Sequence, residues 1–167
     1  NAFVTEAKKQ LFGRVAIDSL AGPSEVLIIA DETAEAAHLA ADMLAQAEHN
    51  PGSAVLVTTS DSLAQKVAKQ VDAQLANLER SDALRKAIDQ YSAIIVGRAL
   101  AVACDVANAF AAEHLQIITE NDEEVLRMID DAGAIFLGDA TPVPVGDYYA
   151  GPSHVLPTGG TARFFSA

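Results

Sequence analysis

The sequence has one cysteine, little basic charge, no long apolar run and no glycine-rich phosphate loop, and each absence removes a class of protein. The single Cys104 excludes an intrachain disulfide framework and a cysteine-ligated zinc cluster. It lies in the Ala-rich apolar run Leu100 to Ala112, where a buried, inert thiol is expected. Lys and Arg number 11 against 23 Asp and Glu, for a net charge of −12, and the basic residues are scattered. That argues against a nucleic-acid partner, which needs Lys and Arg concentrated against phosphates. No apolar run is long enough to cross a bilayer, and the start, Asn-Ala-Phe-Val-Thr-Glu-Ala-Lys-Lys, lacks the pattern of a secretory signal. A soluble, cytoplasmic protein with no membrane partner is the expectation. The densest acidic run, Glu120 to Glu124, has no EF-hand spacing and reads as a solvated helix start. The chain has no initiator Met and stops at Phe164-Phe165-Ser166-Ala167, so both ends read as cut from something longer.

What is present is apolar sequence in short, evenly spaced blocks. With 167 residues, half of them apolar, one domain with a substantial core is expected. Residues 1–20 read as a connector, with helical spacing from Ala2 to Phe12 that Gly13 ends. From 21 to 140 apolar strands alternate with helices. Strands are expected at Val26–Ala30, Ala54–Thr59, Ser92–Gly97, His114–Thr119 and Ala134–Leu137. Helices are expected from an Asp31 or Thr33 cap to His49, from an Asp61 cap to Leu78, from Ser81 to Gln90, over Leu100–Ala112 and from Asp122 to Asp131. Buried-type strands joined by helices predict an α/β fold: an open, mostly parallel five-stranded sheet, doubly wound with helices on both faces, an incomplete Rossmann-like arrangement. Residues 141–167, rich in Pro and Gly, read as an irregular tail of functional weight.

Polar residues interrupt this pattern at one edge of the expected sheet. Gln46 and His49 stand three apart at the end of a helix that Asn50, Pro51 and Gly52 stop, so an amide oxygen and an imidazole can reach one point; on this pair alone an ordinary pair of polar helix residues is the favoured reading, because Gln is a rare zinc ligand. Glu113 and His114 lie at a helix-to-strand junction, where neighbouring side chains can turn into one cleft; a dipole-favoured carboxylate and terminal histidine is an equally open reading. Ser24 precedes the first strand, and Asp147 and His154 would come from the folded-back tail. His38 reads as a surface residue, and Ser24 and Ser153 as turn hydroxyls without a nucleophile elbow. No G-x-G-x-x-G or Walker sequence follows a strand, so this domain alone is not expected to hold a dinucleotide in the usual way. The group supplies N and O ligands for a divalent metal such as zinc and a Glu-His pair able to move protons near neutral pH.

Five phrases together carry a resemblance: Ala21-Gly22-Pro23-Ser24-Glu25-Val26-Leu27, Gln46-Ala47-Glu48-His49, Ala112-Glu113-His114-Leu115, Gly133-Ala134-Ile135-Phe136-Leu137-Gly138, and Gly146-Asp147-Tyr148 leading to Ala150-Gly151-Pro152-Ser153-His154. In this order and spacing the chain resembles the histidinol dehydrogenase family. The resemblance implies oxidation of L-histidinol through L-histidinaldehyde to L-histidine, in histidine biosynthesis, with two NAD and a zinc ion, by a homodimer. It implies Gln46, His49 and Asp147 as zinc ligands and Glu113 and His114 as the catalytic acid/base pair. Ser24, Gln46, His49, His114, Asp147 and His154 match substrate-contacting positions. His114 would take the hydroxyl proton and Glu113 would activate water on the aldehyde. The family chain continues on both sides, so NAD would be bound mainly outside this sequence, and an isolated fragment is expected to be inactive. A metal-dependent hydrolase using Glu113 toward water, and a non-catalytic acidic α/β binding domain, are the alternatives.

Overall fold

The computed structural model describes residues 2–49, 52–79, 81–151 and 155–165, with the side chain of Ala2 excepted. Five strands form one sheet: β1 (Ser24–Ala30), β2 (Gly52–Thr58), β3 (Ala93–Val96), β4 (His114–Ile118) and β5 (Ala134–Leu137). Their order is β3-β2-β1-β4-β5 and every pairing is parallel. The sheet is thus wholly parallel, because each connection between strands carries helix and returns the chain to the same edge.

Alternation along the strands feeds two cores. After α1 (Ala2–Leu11), Val26, Ile28, Ala30, Ala54 and Leu56 pack under α2 (Ala36–Ala47), α3 (Asp61–Leu75) and α4 (Ser81–Tyr91). Leu27, Ile29, Val55, Val57, Leu115 and Ile117 face α5 (Leu100–Phe110) and α6 (Asp122–Leu126). β1 is the central strand, and Val26 through Ala30 are wholly inaccessible. Truncating such a residue, for example Ile28→Ala, costs about 2–5 kcal/mol. Cys104 lies in the second core, its thiol pushed up by burial. Among the described residues no helix is long and apolar enough to cross a membrane.

Several boundaries differ from the sequence pattern, each for a local reason. The cap of α2 is Glu35, whose side chain accepts from the N–H of Ala37. Asp31 is diverted, because its carboxylate accepts from Thr33 N, Thr33 Oγ1 and Glu120 N where two loops meet. Ser60, not Asp61, caps α3 by accepting from Leu63 N, and the helix ends at Leu75 before Leu78. α6 ends at Leu126 rather than Asp131, since Asn108 Oδ1 accepts from the N–H groups of Asp130 and Asp131 and draws that segment into a loop.

Two differences shape the site. α5 stops at Phe110 because Ala111 takes the left-handed conformation, φ 50°, and so releases Ala112 and Glu113 from the helix. The tail expected to be irregular forms α7 (Val143–Val145), a π turn at Gly146–Ala150 and a 3-10 turn at Thr161–Arg163. Pro144 within the first turn of α7 suits a position where no N–H is needed. A Cβ on Gly146 would stand 2.7 Å from the Phe136 ring, so glycine lets this turn lie directly on β5.

Candidate functional site

The amino edge of the sheet gathers residues far apart in sequence. Ser24 opens β1 and His114 opens β4, two residues out of register so that His114 stands opposite Val26. α2 runs back against the strands, which carries Gln46 and His49 to the same edge, and the π turn brings Asp147 over it. Ser24, Gln46, His49, Glu113, His114 and Asp147 line one cavity of about 210 Å³. His154 lies outside the described residues.

The helical pattern expected to reach His49 ends at Ala47, and His49 N–H donates to Gln46 O at 3.3 Å in the closing turn. Asn50 and Pro51 lie outside the described residues. Gly52 does not make the turn; it is the first residue of β2. A Cβ there would sit 2.6 Å from His49 O, so glycine is what lets the strand start hard against the helix end.

Glu113 and His114 are both buried and both face the cavity. Glu113 Oε2 accepts from Glu25 N at 2.9 Å and lies 3.5 Å from His114 Nδ1. His114 Nδ1 is 3.1 Å from Glu25 O. A carbonyl oxygen only accepts, so Nδ1 carries the proton and Nε2 is the basic nitrogen of the neutral ring. The His114 ring also meets Phe136, centroid to centroid 6.0 Å. Burial, with the charges of Glu25 and Asp147, pushes the Glu113 carboxyl up to about 7, against the opposing pull of Glu25 N–H and His49. A carboxylate ionising there can take a proton from water at neutral pH.

Glu25 and Thr158 are residues that sequence reasoning left without a role. Glu25 is buried and its carboxyl is pushed up by burial, although Oε2 accepts from Gly159 N at 3.1 Å. Thr158 Oγ1 accepts from Gly22 N. These two bonds stitch the tail to the entrance of β1. The signal for Glu25 was a charged residue opening a continuous apolar strand; nothing in the spacing marked Thr158.

Gln46, His49 and Asp147 offer an amide, an imidazole and a carboxylate, a nitrogen and oxygen set that suits zinc. Among the described residues no three His, Cys, Asp or Glu side chains converge on a metal point. Gln46 is 4 % exposed, and its Nε2 has no hydrogen-bond partner among the described residues. An amide oxygen, an imidazole nitrogen and a carboxylate brought to one cavity are donors that a divalent cation such as zinc takes, and these residues fit the metal.

Fold and site define a doubly wound α/β domain with a cavity of ionisable and amide side chains at the amino edge of its sheet, the opposite edge from the usual nucleotide crevice. The histidinol dehydrogenase family model matches residues 1–167, and the chain belongs to that family. It is 54% identical over 164 residues to histidinol dehydrogenase of Rhodopirellula baltica, covering 98% of this chain and 36% of that protein. With the Heliobacterium mobile histidinol dehydrogenase it shares 54% identity over 167 residues, 99% of this chain and 39% of that one. The crystal structure of histidinol dehydrogenase from Elizabethkingia anophelis superposes with a TM-score of 0.93 at 42% identity, over 100% of this chain and 39% of that chain. The chain therefore spans less than two fifths of the length of these relatives.

Proposed function

We propose that this chain is the proton-transferring and zinc-holding part of an enzyme that oxidises L-histidinol through L-histidinaldehyde to L-histidine with two NAD. The reading rests most on one observation: a buried Glu113 ionising near 7 and a His114 of fixed tautomer line the same cavity as Gln46, His49 and Asp147. Gln46, His49 and Asp147 hold zinc, which when bound orients the amino alcohol and polarises its oxygen. In the first oxidation His114 Nε2 accepts the hydroxyl proton while the carbon gives hydride to nicotinamide. In the second, Glu113 takes a proton from the water that adds to the aldehyde, and the hydrate gives up the second hydride. Ser24 and His154 contact the substrate. Nicotinamide binding belongs mainly to sequence outside this chain, as does the remaining metal ligation. The complete enzyme is a cytoplasmic homodimer of histidine biosynthesis, and this chain alone is inactive.

The test is single-turnover NADH formation by the complete enzyme, started from histidinol or from histidinaldehyde. Glu113→Gln should slow the aldehyde step far more than the alcohol step. Equal losses in both would sink the division of labour. Substrate-dependent NADH also separates this reading from a metal-dependent hydrolase, which would use Glu113 without a hydride acceptor.

A further inference from the structure

Asp42, Gln46 and His49 fall on one face of α2 and the turn that ends it, by the spacing of i, i+4 and i+7. β4 faces them with His114 and Gln116, which share a side of the sheet because they are two apart. α2 runs opposite to β4, so Gln116 lies across from Asp42, and His114 lies one step nearer Gln46. Gln116 Nε2 donates to Asp42 Oδ2 at 2.9 Å. A carboxylate only accepts, so this bond fixes which way the Gln116 amide points and sends its Oε1 to the other side.

That oxygen is an orphan. Gln116 is 1 % exposed, and its Oε1 is one of two buried side-chain polar atoms without a partner among the described residues; the other is Gln46 Nε2. One is an acceptor and one a donor, and both belong to amides anchored around the same turn of α2. Buried polar atoms are nearly always satisfied, by protein or by ordered water.

We propose that Asp42 and Gln116 are positioning residues that orient Gln46 toward zinc. One buried water joins Gln116 Oε1 to Gln46 Nε2. The relay Asp42–Gln116–water–Gln46 holds the Nε2 side of the Gln46 amide inward and presents Oε1 to the cavity. Without it the amide can turn over and offer N–H groups to a cation, which repels them. The inference rests on the reading of Gln46 as a zinc ligand.

The experiment uses the complete protein loaded with zinc, and separately with cobalt. Zinc affinity is read by chelator competition, the ligand field by cobalt absorption, and fold by thermal unfolding of the metal-free protein. Gln116→Met should weaken zinc about 10–100-fold, the usual cost of losing an outer-shell partner. It should also alter the cobalt spectrum while leaving metal-free unfolding at or above the parent temperature. Asp42→Asn keeps an acceptor and should stay near the parent, whereas Asp42→Ala should follow Gln116→Met. Parent-like zinc affinity and cobalt spectrum in Gln116→Met would overturn the relay, as would weaker zinc with an unchanged cobalt spectrum and a lower metal-free unfolding temperature. If Gln116→Met does not fold, equal zinc affinity of Asp42→Asn and Asp42→Ala overturns it. Gln46→Met separates the layers: unchanged zinc affinity there removes Gln46 from the ligand set, whereas a loss there with none in Gln116→Met removes the relay alone.

Discussion

Glu25 holds Glu113 with its backbone N–H at 2.9 Å, and with the carbonyl of the same residue it faces His114 Nδ1 at 3.1 Å. One residue at the mouth of the central strand therefore aligns both Glu113 and His114 through main-chain atoms, which side-chain substitutions other than proline leave in place. Its carboxylate meanwhile accepts from Gly159 N and ties down the tail. Geometry of this kind keeps two adjacent side chains facing one cavity, where a regular strand would point them apart.

The first prediction concerns rate against pH. A carboxyl pushed up by burial to about 7 is a base only when deprotonated, so the aldehyde step should rise with pH through one ionisation near or below 7. A bound cation favours the charged form and moves that ionisation lower. Glu113→Gln should abolish the limb and slow the step about 10²–10⁴-fold. Stopped-flow NADH traces from the aldehyde across pH 5–9 check this, and a limb that survives the substitution would remove Glu113 from the role.

The second prediction uses the same group to read stability. The folded-state value lies above the ordinary 4.5, so folding favours the protonated form. The contribution is complete below 4.5, fades as pH rises toward 7 and is gone above it. Buried Glu25 and half-buried Asp42, both raised by desolvation, act in the same direction. In urea unfolding of the metal-free protein, Glu113→Gln should gain on the parent between pH 5 and pH 8, by up to about 3 kcal/mol. A constant difference over that range would contradict it.

A third prediction tests how closely the backbone packs beneath Glu113. A Cβ on Gly133 would lie 2.6 Å from Glu113 O and 3.2 Å from Pro157 O, both main-chain atoms. Neither can swing aside as a side chain would. Gly133→Ala should cost about 1–3 kcal/mol and lower activity by displacing Glu113, whereas Gly13→Ala, at a left-handed glycine (φ 89°) with nothing within 4 Å, should be strained without touching the site. Activity that tracks stability equally in both variants would argue against a specific effect at Gly133.

The sheet was legible because β1, β2 and β4 are largely apolar runs buried on both faces and the half-exposed edge strands β3 and β5 are short apolar runs too, and such runs need no tertiary knowledge to recognise. Helix limits were less legible where a competing hydrogen bond decides them. Asp31 reads as a cap until Glu120 N, distant in sequence, claims it, and Asp131 reads as helical until Asn108 draws it away. Gln46, His49, Glu113, His114 and Asp147 could be singled out because each is polar at an edge of apolar sequence. Thr158 and Gln116 could not, since their partners lie 136 and 74 residues away, and Glu25 left only the trace of a charge at the head of an apolar strand.

The last prediction sets the two histidines against each other. His49 is exposed and closes α2 beside Gln46, whereas His114 is buried with Nδ1 held toward Glu25 O. In the complete enzyme His49→Asn should therefore lose zinc, read by chelator competition, while the arrangement of Glu113 and Glu25 is kept. His114→Asn should retain zinc and lose the hydroxyl-proton acceptor, slowing hydride formation from histidinol about 10²–10⁴-fold. Zinc content and histidinol single turnover, measured on both variants, give four numbers that must fall on one diagonal. Loss of zinc from His114→Asn with rapid histidinol turnover retained would exchange the roles of the two residues.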